Sequence, residues 1–398
     1  MALTLTIVVK RSLHAVLLKG PGDAARLTGP LAAALDGSGP AILPLDAGHP
    51  GLAAMLDAYQ PNVVTDSDGV TTFRSGAQGT GEDTAVIIST SGTTGEPKGV
   101  ELSAAALLHS ARASLARVGA LPGERWLCCL PVTHVAGIQV LVRSLVSGAE
   151  PVVADRADAG VLERSGAAHV SLVPAQLRRL LDERAGFDGF RSVLLGGAAA
   201  PEMLLEQARG AGVPVVTTYG MTETCGGCVY DGRSLEGVSV TTDSSGRLVI
   251  DGPVLFNRYT GQPPRTGPFV TSDLGSIDMS GLTLVRGRAD DVINTGGHKV
   301  IPGEVARALQ DCPGVREVVV VGRPDPKWGE RVTAVVVPAD PDDPPDLKLL
   351  RKHVQGRLPR YAFPGEIELK HAIPLLPTGK PDLVSLRREH SPARSVTY

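Results

Sequence analysis

Ser89-Thr90-Ser91-Gly92-Thr93-Thr94-Gly95-Glu96-Pro97-Lys98-Gly99-Val100 crowds hydroxyls, glycines and one lysine into a single short stretch. Ser91, Thr93 and Thr94 offer hydroxyl donors. Gly92, Gly95 and Gly99 let backbone amides approach an oxyanion closely, and Lys98 adds a point charge. Those are the parts of a polyphosphate grip, with Ser89 and Thr90 at its entrance. The apolar run 84–88 just before it reads as a buried strand, so the loop leaves the end of a sheet. A Walker loop needs Gly-Lys followed at once by Ser or Thr, whereas here Lys98 follows Pro97 and precedes Gly99. The stretch is therefore a phosphate loop of another kind, against the plain alternative of a Ser/Thr/Gly linker.

Working outward, 398 residues suggest two or three domains, and 42% hydrophobic with 20% charged residues is ordinary for a globular enzyme. A net charge of −3 with no basic stripe gives no reason to expect nucleic acid as a partner. Five cysteines do not make a disulfide framework and fit a reducing, cytoplasmic setting. The apolar start, 1–9, precedes Lys10 and Arg11 rather than following a basic region, the wrong order for a signal peptide. No apolar run is long enough for membrane insertion.

From about residue 39 to 195, short apolar runs alternate with amphipathic segments, which predicts an α/β fold. Strands are expected at 41–44, 62–65, 86–89, 126–130, 151–154, 170–173 and 192–195. Ser103 caps an expected helix to Val118, Gly148 stops another over 135–147, and Pro174 and Pro201 suit first helical turns. Such repeats imply a parallel sheet with ligand loops at the carboxyl ends of its strands. After about residue 232, Gly, Asp and Ser clusters separate short strands at 247–250, 269–272 and 282–285. A second change at Arg288-Ala289-Asp290-Asp291 opens a compact α+β piece: helix 304–311, strands 315–321 and 332–337, helix 347–356 and strand 366–369.

Four further motifs follow in order: Thr218-Tyr219-Gly220-Met221-Thr222-Glu223-Thr224; Thr271-Ser272-Asp273-Leu274-Gly275; Arg286-Gly287-Arg288-Ala289-Asp290-Asp291 running on to Asn294-Thr295-Gly296-Gly297-His298-Lys299; and Leu376-Pro377-Thr378-Gly379-Lys380. Together, over roughly 84–382, they resemble the adenylate-forming superfamily of acyl-CoA synthetases, peptide-synthetase adenylation domains and luciferases. The resemblance implies a large N-terminal domain, 1–288, of parallel and mixed sheets with flanking helices, including a small β-barrel-like subdomain at about 233–288. A small mobile α+β domain, 289–398, follows a hinge at Asp290. It implies ATP, Mg²⁺ and coenzyme A as reactants or cofactors, a carboxylic acid as substrate, and leaves a homodimer open.

Each motif then carries a task its chemistry supports. Tyr219 offers an aromatic face for adenine, and Gly196-Gly197-Ala198 leaves room for the purine edge. Thr222 would bond the α-phosphate and Glu223 would hold Mg²⁺. Asp273 would accept from the ribose hydroxyls with Arg288 assisting, and Lys380 would neutralise charge at the α-phosphate. Gly296-Gly297 fits a channel for the pantetheine arm. Taken singly, a Glu after Thr or a Lys near a C-terminus is ordinarily a solvated surface residue. Cys225 and Cys228 have CxxC spacing but no second pair or His cluster, so they are expected as small wall residues.

The acid end rests on Leu130-Pro131-Val132-Thr133-His134-Val135-Ala136-Gly137 and on Arg143. On a helix from Val135, Gln139 and Arg143 lie one turn apart, away from the apolar face of Ile138, Val142 and Leu145. An Arg there is a solvated helix residue or an anion receptor. The pattern resembles the o-succinylbenzoate-CoA ligase family of menaquinone biosynthesis, in which a cation at this spacing recognises the second carboxylate of the substrate. That resemblance assigns Arg143, with His134, Gly137, Gln139, Gly197, Gly220 and Met221, to the acid pocket. The other readings are the same chemistry on another aryl or fatty acid, an enzyme loading a carrier-protein thiol, and a non-catalytic AMP-binding protein. The front of the chain is also shorter than in most acyl-CoA synthetases, which bears on the acyl pocket.

Overall fold

A computed structural model describes residues 10–77, 79–91, 97–376 and 379–388. Their contacts divide the chain into two compact units: residues 1–197, 208–239 and 251–269, and residues 198–207, 240–250 and 270–398.

The first unit is built on two seven-stranded sheets. In one, Ala41–Asp46 lies between Leu13–Leu18 and Thr84–Ser91, parallel to both. Antiparallel partners extend it: Pro97–Ser103 beside Thr84–Ser91, Arg258–Tyr259 beside Pro97–Ser103, and Thr71–Phe73 at the far edge. In the other, His169–Leu172, Ser192–Leu195 and Val215–Met221 run parallel, with Trp126–Cys128 and Val152–Val153 on one side. Gly226–Tyr230 and Arg233–Ser234 close the opposite side antiparallel. The α/β expectation holds, and both sheets are mixed, parallel in their centres with antiparallel strands at an edge of each.

Two further corrections concern boundaries. Strand pairing reaches into the phosphate loop from both sides, since Ser89 and Thr90 end Thr84–Ser91 and Lys98 belongs to Pro97–Ser103. Pro97 is tolerated because it stands first in its strand. Gly92, Thr93 and Thr94, with the side chain of Ser91, lie outside the described residues. Pro201 precedes helix Glu202–Gly210 rather than opening it; its carbonyl accepts from the amides of Leu204 and Leu205.

Helix Ala104–Val118 begins and ends where its sequence dictates: the Ser103 hydroxyl accepts from the Ala106 amide, and Gly119 closes it in the left-handed region. Helix Val135–Ser147 packs beside it and ends likewise on Gly148. Trp126, Ile138, Leu141 and Leu107 are fully buried between these helices and the sheets. Each such side chain contributes roughly 1.5–3 kcal/mol.

The second unit contains a four-stranded sheet from Ser239–Thr242, Arg247–Asp251, Phe269–Ile277 and Thr283–Arg288. Its other sheet pairs Gly329–Pro338 with Val315–Asp325, Ile293–Thr295 and, in parallel, Glu366–Leu369. Helices Pro302–Leu309 and Leu347–Val354 complete a separate core around Leu309, Ala334, Val336 and Leu350.

Candidate functional site

Strand Val215–Met221 runs straight into a single 3-10 turn, Thr222–Thr224. The turn is closed by its own hydroxyl: Thr224 Oγ1 accepts from the Met221 amide at 2.9 Å and donates to the Gly226 carbonyl at 2.7 Å. Gly220 is required here, because a Cβ on it would stand 2.0 Å from the Gly226 carbonyl oxygen. Glu223 is thereby presented with both ends held. Its carbonyl accepts from the Phe256 amide at 2.9 Å, and its Oε1 accepts from the Tyr259 hydroxyl at 3.0 Å. Its other oxygen has no partner among the described residues. Lys98 Nζ sits 3.3 Å from the centroid of the Tyr259 ring. Burial, and then the charge of Glu223, push the Tyr259 phenol above its ordinary range, so it remains a donor.

Ser89 and Thr90 are tied down beside this group. Ser89 Oγ accepts from the Tyr59 hydroxyl at 2.9 Å, and Thr90 Oγ1 donates to the Lys98 carbonyl at 3.0 Å. Tyr219, Met221 and Thr222 are half-buried. At Gly196 a Cβ would stand 2.3 Å from Thr218 Oγ1, and Gly197 adopts φ +82°, so the expected purine edge is floored by bare backbone.

Arg143 occupies a different setting from the solvated helix position it could have taken. It is 5% exposed and Gln139 is 3% exposed, so the helix is buried on this side as well. The Arg143 Nη2 donates to Ser171 Oγ at 2.9 Å, and its guanidinium lies 4.3 Å from the Trp126 ring centroid. Burial lowers its pKa from the ordinary value, while the Tyr230 hydroxyl works the other way and supports the charged form. Arg143 Nε and Gln139 Oε1 are buried without a hydrogen-bond partner. No carboxylate among the described residues pairs with Arg143. An arginine stays protonated under such pressure. A buried cation without its counter-ion is several kcal/mol out of balance, and an anion restores it. Gly137 lets this helix approach, since a Cβ there would meet the Pro131 carbonyl oxygen at 2.4 Å. His134 stands half-buried at the helix entrance.

Within the second unit, Asp273 and Arg288 face each other across antiparallel strands, Oδ1 to Nη1 3.6 Å. Arg288 Nη2 also pairs with Asp290 at 3.1 Å, so one guanidinium joins the expected ribose carboxylate to the expected hinge. Gly296 and Gly297 take φ +57° and +80°; beside Gly296 a Cβ would lie 2.9 Å from the Trp328 ring, while Gly297 faces open space. Lys380 is exposed, its carbonyl accepting from the Leu376 amide at 2.8 Å. Pro377 and Thr378 lie outside the described residues.

The cysteines at 225 and 228 are buried and free. Burial pushes the Cys228 thiol up to about 12 and that of Cys225 further, which suits inert walls. Among the described residues no cluster of three or more His, Cys, Asp or Glu could hold a metal ion. A single open carboxylate such as Glu223 suits a cation that arrives with phosphate and water ligands, as Mg²⁺ does. Tyr259, Trp126 and Tyr230 were not expected at the site, and Ser171 was expected only as part of the strand at 170–173. None carries a local signal, since each acquires its role from strands distant in sequence.

Comparison with known proteins places these residues in context. Residues 40–287 match the family model for the AMP-binding enzyme, and 304–380 that for the AMP-binding enzyme C-terminal domain. The chain belongs to the AMP-binding enzyme family. This AMP-binding enzyme is 41% identical over 77% of its length, and 85% of the relative's, to the Mycobacterium tuberculosis protein named "Probable 2-succinylbenzoate--CoA ligase". It is 32% identical to the long-chain-fatty-acid–CoA ligase FadD13 of the same species, covering 78% of this chain and 68% of that one. Among solved structures, Bacillus subtilis O-succinylbenzoate Coenzyme A Synthetase (MenE) in complex with ATP and magnesium ion matches at a TM-score of 0.77 and 26% identity, over 95% of this chain and 90% of that one.

Proposed function

We propose that this AMP-binding enzyme is an ATP-dependent, AMP-forming ligase that joins o-succinylbenzoate to coenzyme A. The observation that carries the acid is Arg143: a buried guanidinium on an aromatic shelf, with no carboxylate of the described residues against it. An acid with one reacting and one non-reacting carboxylate answers that need, and a fatty acid does not. The 41% identity to a relative named for 2-succinylbenzoate supports the same choice. The more distant relative named for long-chain fatty acids represents the competing acid.

In the first step the aliphatic carboxylate attacks the α-phosphorus of ATP; the P–O bond to the β-phosphate breaks and pyrophosphate leaves. Thr222 and Lys380 bond the α-phosphate oxygens as charge builds there, with the hydroxyl and lysine loop of 89–98 on the β and γ phosphates. The Glu223 carboxylate would hold Mg²⁺, which when bound shields the polyphosphate charge. In the second step the CoA thiol attacks the acyl carbonyl, the acyl–phosphate bond breaks and AMP leaves. The domain from residue 289 turns about Asp290 between the steps and brings Gly296 and Gly297 to the pantetheine arm. Among the described residues no helix is long and apolar enough to cross a membrane. With five free cysteines, we place the enzyme in the cytoplasm.

CoA-dependent pyrophosphate release, measured with o-succinylbenzoate, benzoate and a long-chain fatty acid, tests the assignment. o-Succinylbenzoate is expected to give the highest kcat/KM, and Arg143→Ala to lower that value by about 2–4 kcal/mol, the loss of one member of a desolvated charged pair. Equal kcat/KM for Arg143→Ala and the parent would remove Arg143 from the acid pocket.

A further inference from the structure

Tyr259 touches the expected Mg²⁺ carboxylate and the expected phosphate-loop lysine at once, though no motif assigns it a task. Its hydroxyl donates to Glu223 Oε1 at 3.0 Å, and the Lys98 ammonium lies 3.3 Å from its ring centroid. The residue is itself well anchored. It pairs with Val100 across the sheet edge, the next amide, of Thr260, donates to the Gly99 carbonyl at 2.9 Å, and the Phe256 ring packs 4.7 Å away. The same short segment grips Glu223 a second time, through the Phe256 amide on its carbonyl.

Lys98 and Glu223 carry opposite charges and share one neighbour, yet no salt bridge joins them among the described residues. A direct pair would place an ammonium where a divalent cation must bind, and the two cations would compete for one carboxylate. A neutral phenol between them satisfies one oxygen of Glu223 by hydrogen bonding and gives Lys98 a π-face instead. Among the described residues Glu223 Oε2 is left open.

We propose that Tyr259 is a positioning residue: its hydroxyl orients the Glu223 carboxylate for a divalent cation, and its ring keeps Lys98 off that carboxylate. The inference rests on the reading of Glu223 as the cation's carboxylate. Orienting partners of metal ligands are typically worth about tenfold or more in metal affinity.

The probe is Mn²⁺, titrated by electron paramagnetic resonance onto the enzyme bound to an ATP analogue with an α,β-methylene bridge. Glu223→Gln is expected to weaken Mn²⁺ binding more than tenfold. Tyr259→Phe, which keeps the ring and loses the hydroxyl, should weaken it about fivefold to tenfold, with metal-free binding of the analogue unchanged. Tyr259→Leu, which also frees Lys98 to reach Glu223, should weaken it further. Thermal unfolding of each variant reports folding, and Tyr259→Phe carries the test if Tyr259→Leu is unstable. Mn²⁺ affinity within twofold of the parent in Tyr259→Phe, with Glu223→Gln impaired, overturns the role of Tyr259. An equal fall in metal-free analogue binding overturns it too, as a general distortion. An unchanged Glu223→Gln overturns the reading beneath it.

Discussion

A Cβ built on Gly220 would stand 2.0 Å from the Gly226 carbonyl oxygen, a clash of backbone with backbone that no rotamer relieves. The strand pair must open instead, and the turn bearing Thr222 and Glu223 moves with it. Gly220→Ala is therefore expected to destabilise the fold by about 1–3 kcal/mol and to weaken ATP binding. Gly297→Ala meets no atom and carries only the strain of its left-handed backbone, about 1–2 kcal/mol, with ATP binding unchanged. Urea unfolding and calorimetric ATP titration of the two variants compare them directly; an intact ATP affinity in Gly220→Ala contradicts the account. Glu223, Asp273 and Arg143 were legible in the sequence because a charged side chain in an ordered motif announces its chemistry. Tyr259 and Trp126 were not, because an aromatic residue in a strand reads as core until the partner across the sheet is known.

At the scale of elements, capping chemistry was read to the residue: Ser103 and Gly119 bound one helix, and Gly148 ends another. Strands Leu13–Leu18 and Pro97–Ser103 were not foreseen. His14 interrupts the apolar run of the first, and Pro97 and Gly99 argue locally against the second, whose pairing on both sides overrides propensity. The strand holding Ser171 against Arg143 begins at His169, which joins neighbouring elements. Its Nδ1 shares a hydrogen bond with Ser192 Oγ at 2.8 Å, its Nε2 lies 3.1 Å from Glu124, and its ring stacks on Trp126 at 4.6 Å. Burial alone would raise the Glu124 carboxyl, but Arg191, the Leu121 amide and His169 hold it down at about 2. A depressed carboxylate contributes stability that is present above its ordinary value, 4.5, and is lost as pH falls toward 2. Burial of His169 lowers its pKa and has the same sign, beginning near its ordinary 6.5. Glu124→Gln is thus expected to be less stable than the parent by about 1 kcal/mol at pH 7. The gap should shrink as pH falls below 4.5, and urea midpoints at pH 7 and pH 4 read it. A gap that widens on acidification reverses the sign and rejects the network.

For the whole molecule, the two-step reaction asks one chain to serve two different transition states, and the distribution of residues over the units suits that demand. Glu223 and Arg143 belong to the unit of the two large sheets, whereas Lys380 and the Gly296-Gly297 pair belong to the other, which has its own core. Lys380 follows strand Glu366–Leu369 and precedes helix Leu383–Arg388. Buried Arg323 ties that strand to that helix through Glu368 and the Leu386 carbonyl, the latter at 2.8 Å. A lysine between two elements so tied can deliver charge to the α-phosphate in adenylation. In the proposed cycle it has been carried off the α-phosphate by the turn about Asp290 before the CoA thiol displaces AMP. Lys380→Ala should accordingly slow acyl-adenylate formation by about 10²–10³. It should leave thioester formation from preformed acyl-adenylate and CoA within about threefold of the parent. Single-turnover measurement of each half-reaction separates them. Equal losses in both would mean that Lys380 acts throughout the cycle, and the turn about Asp290 would then lose its reason.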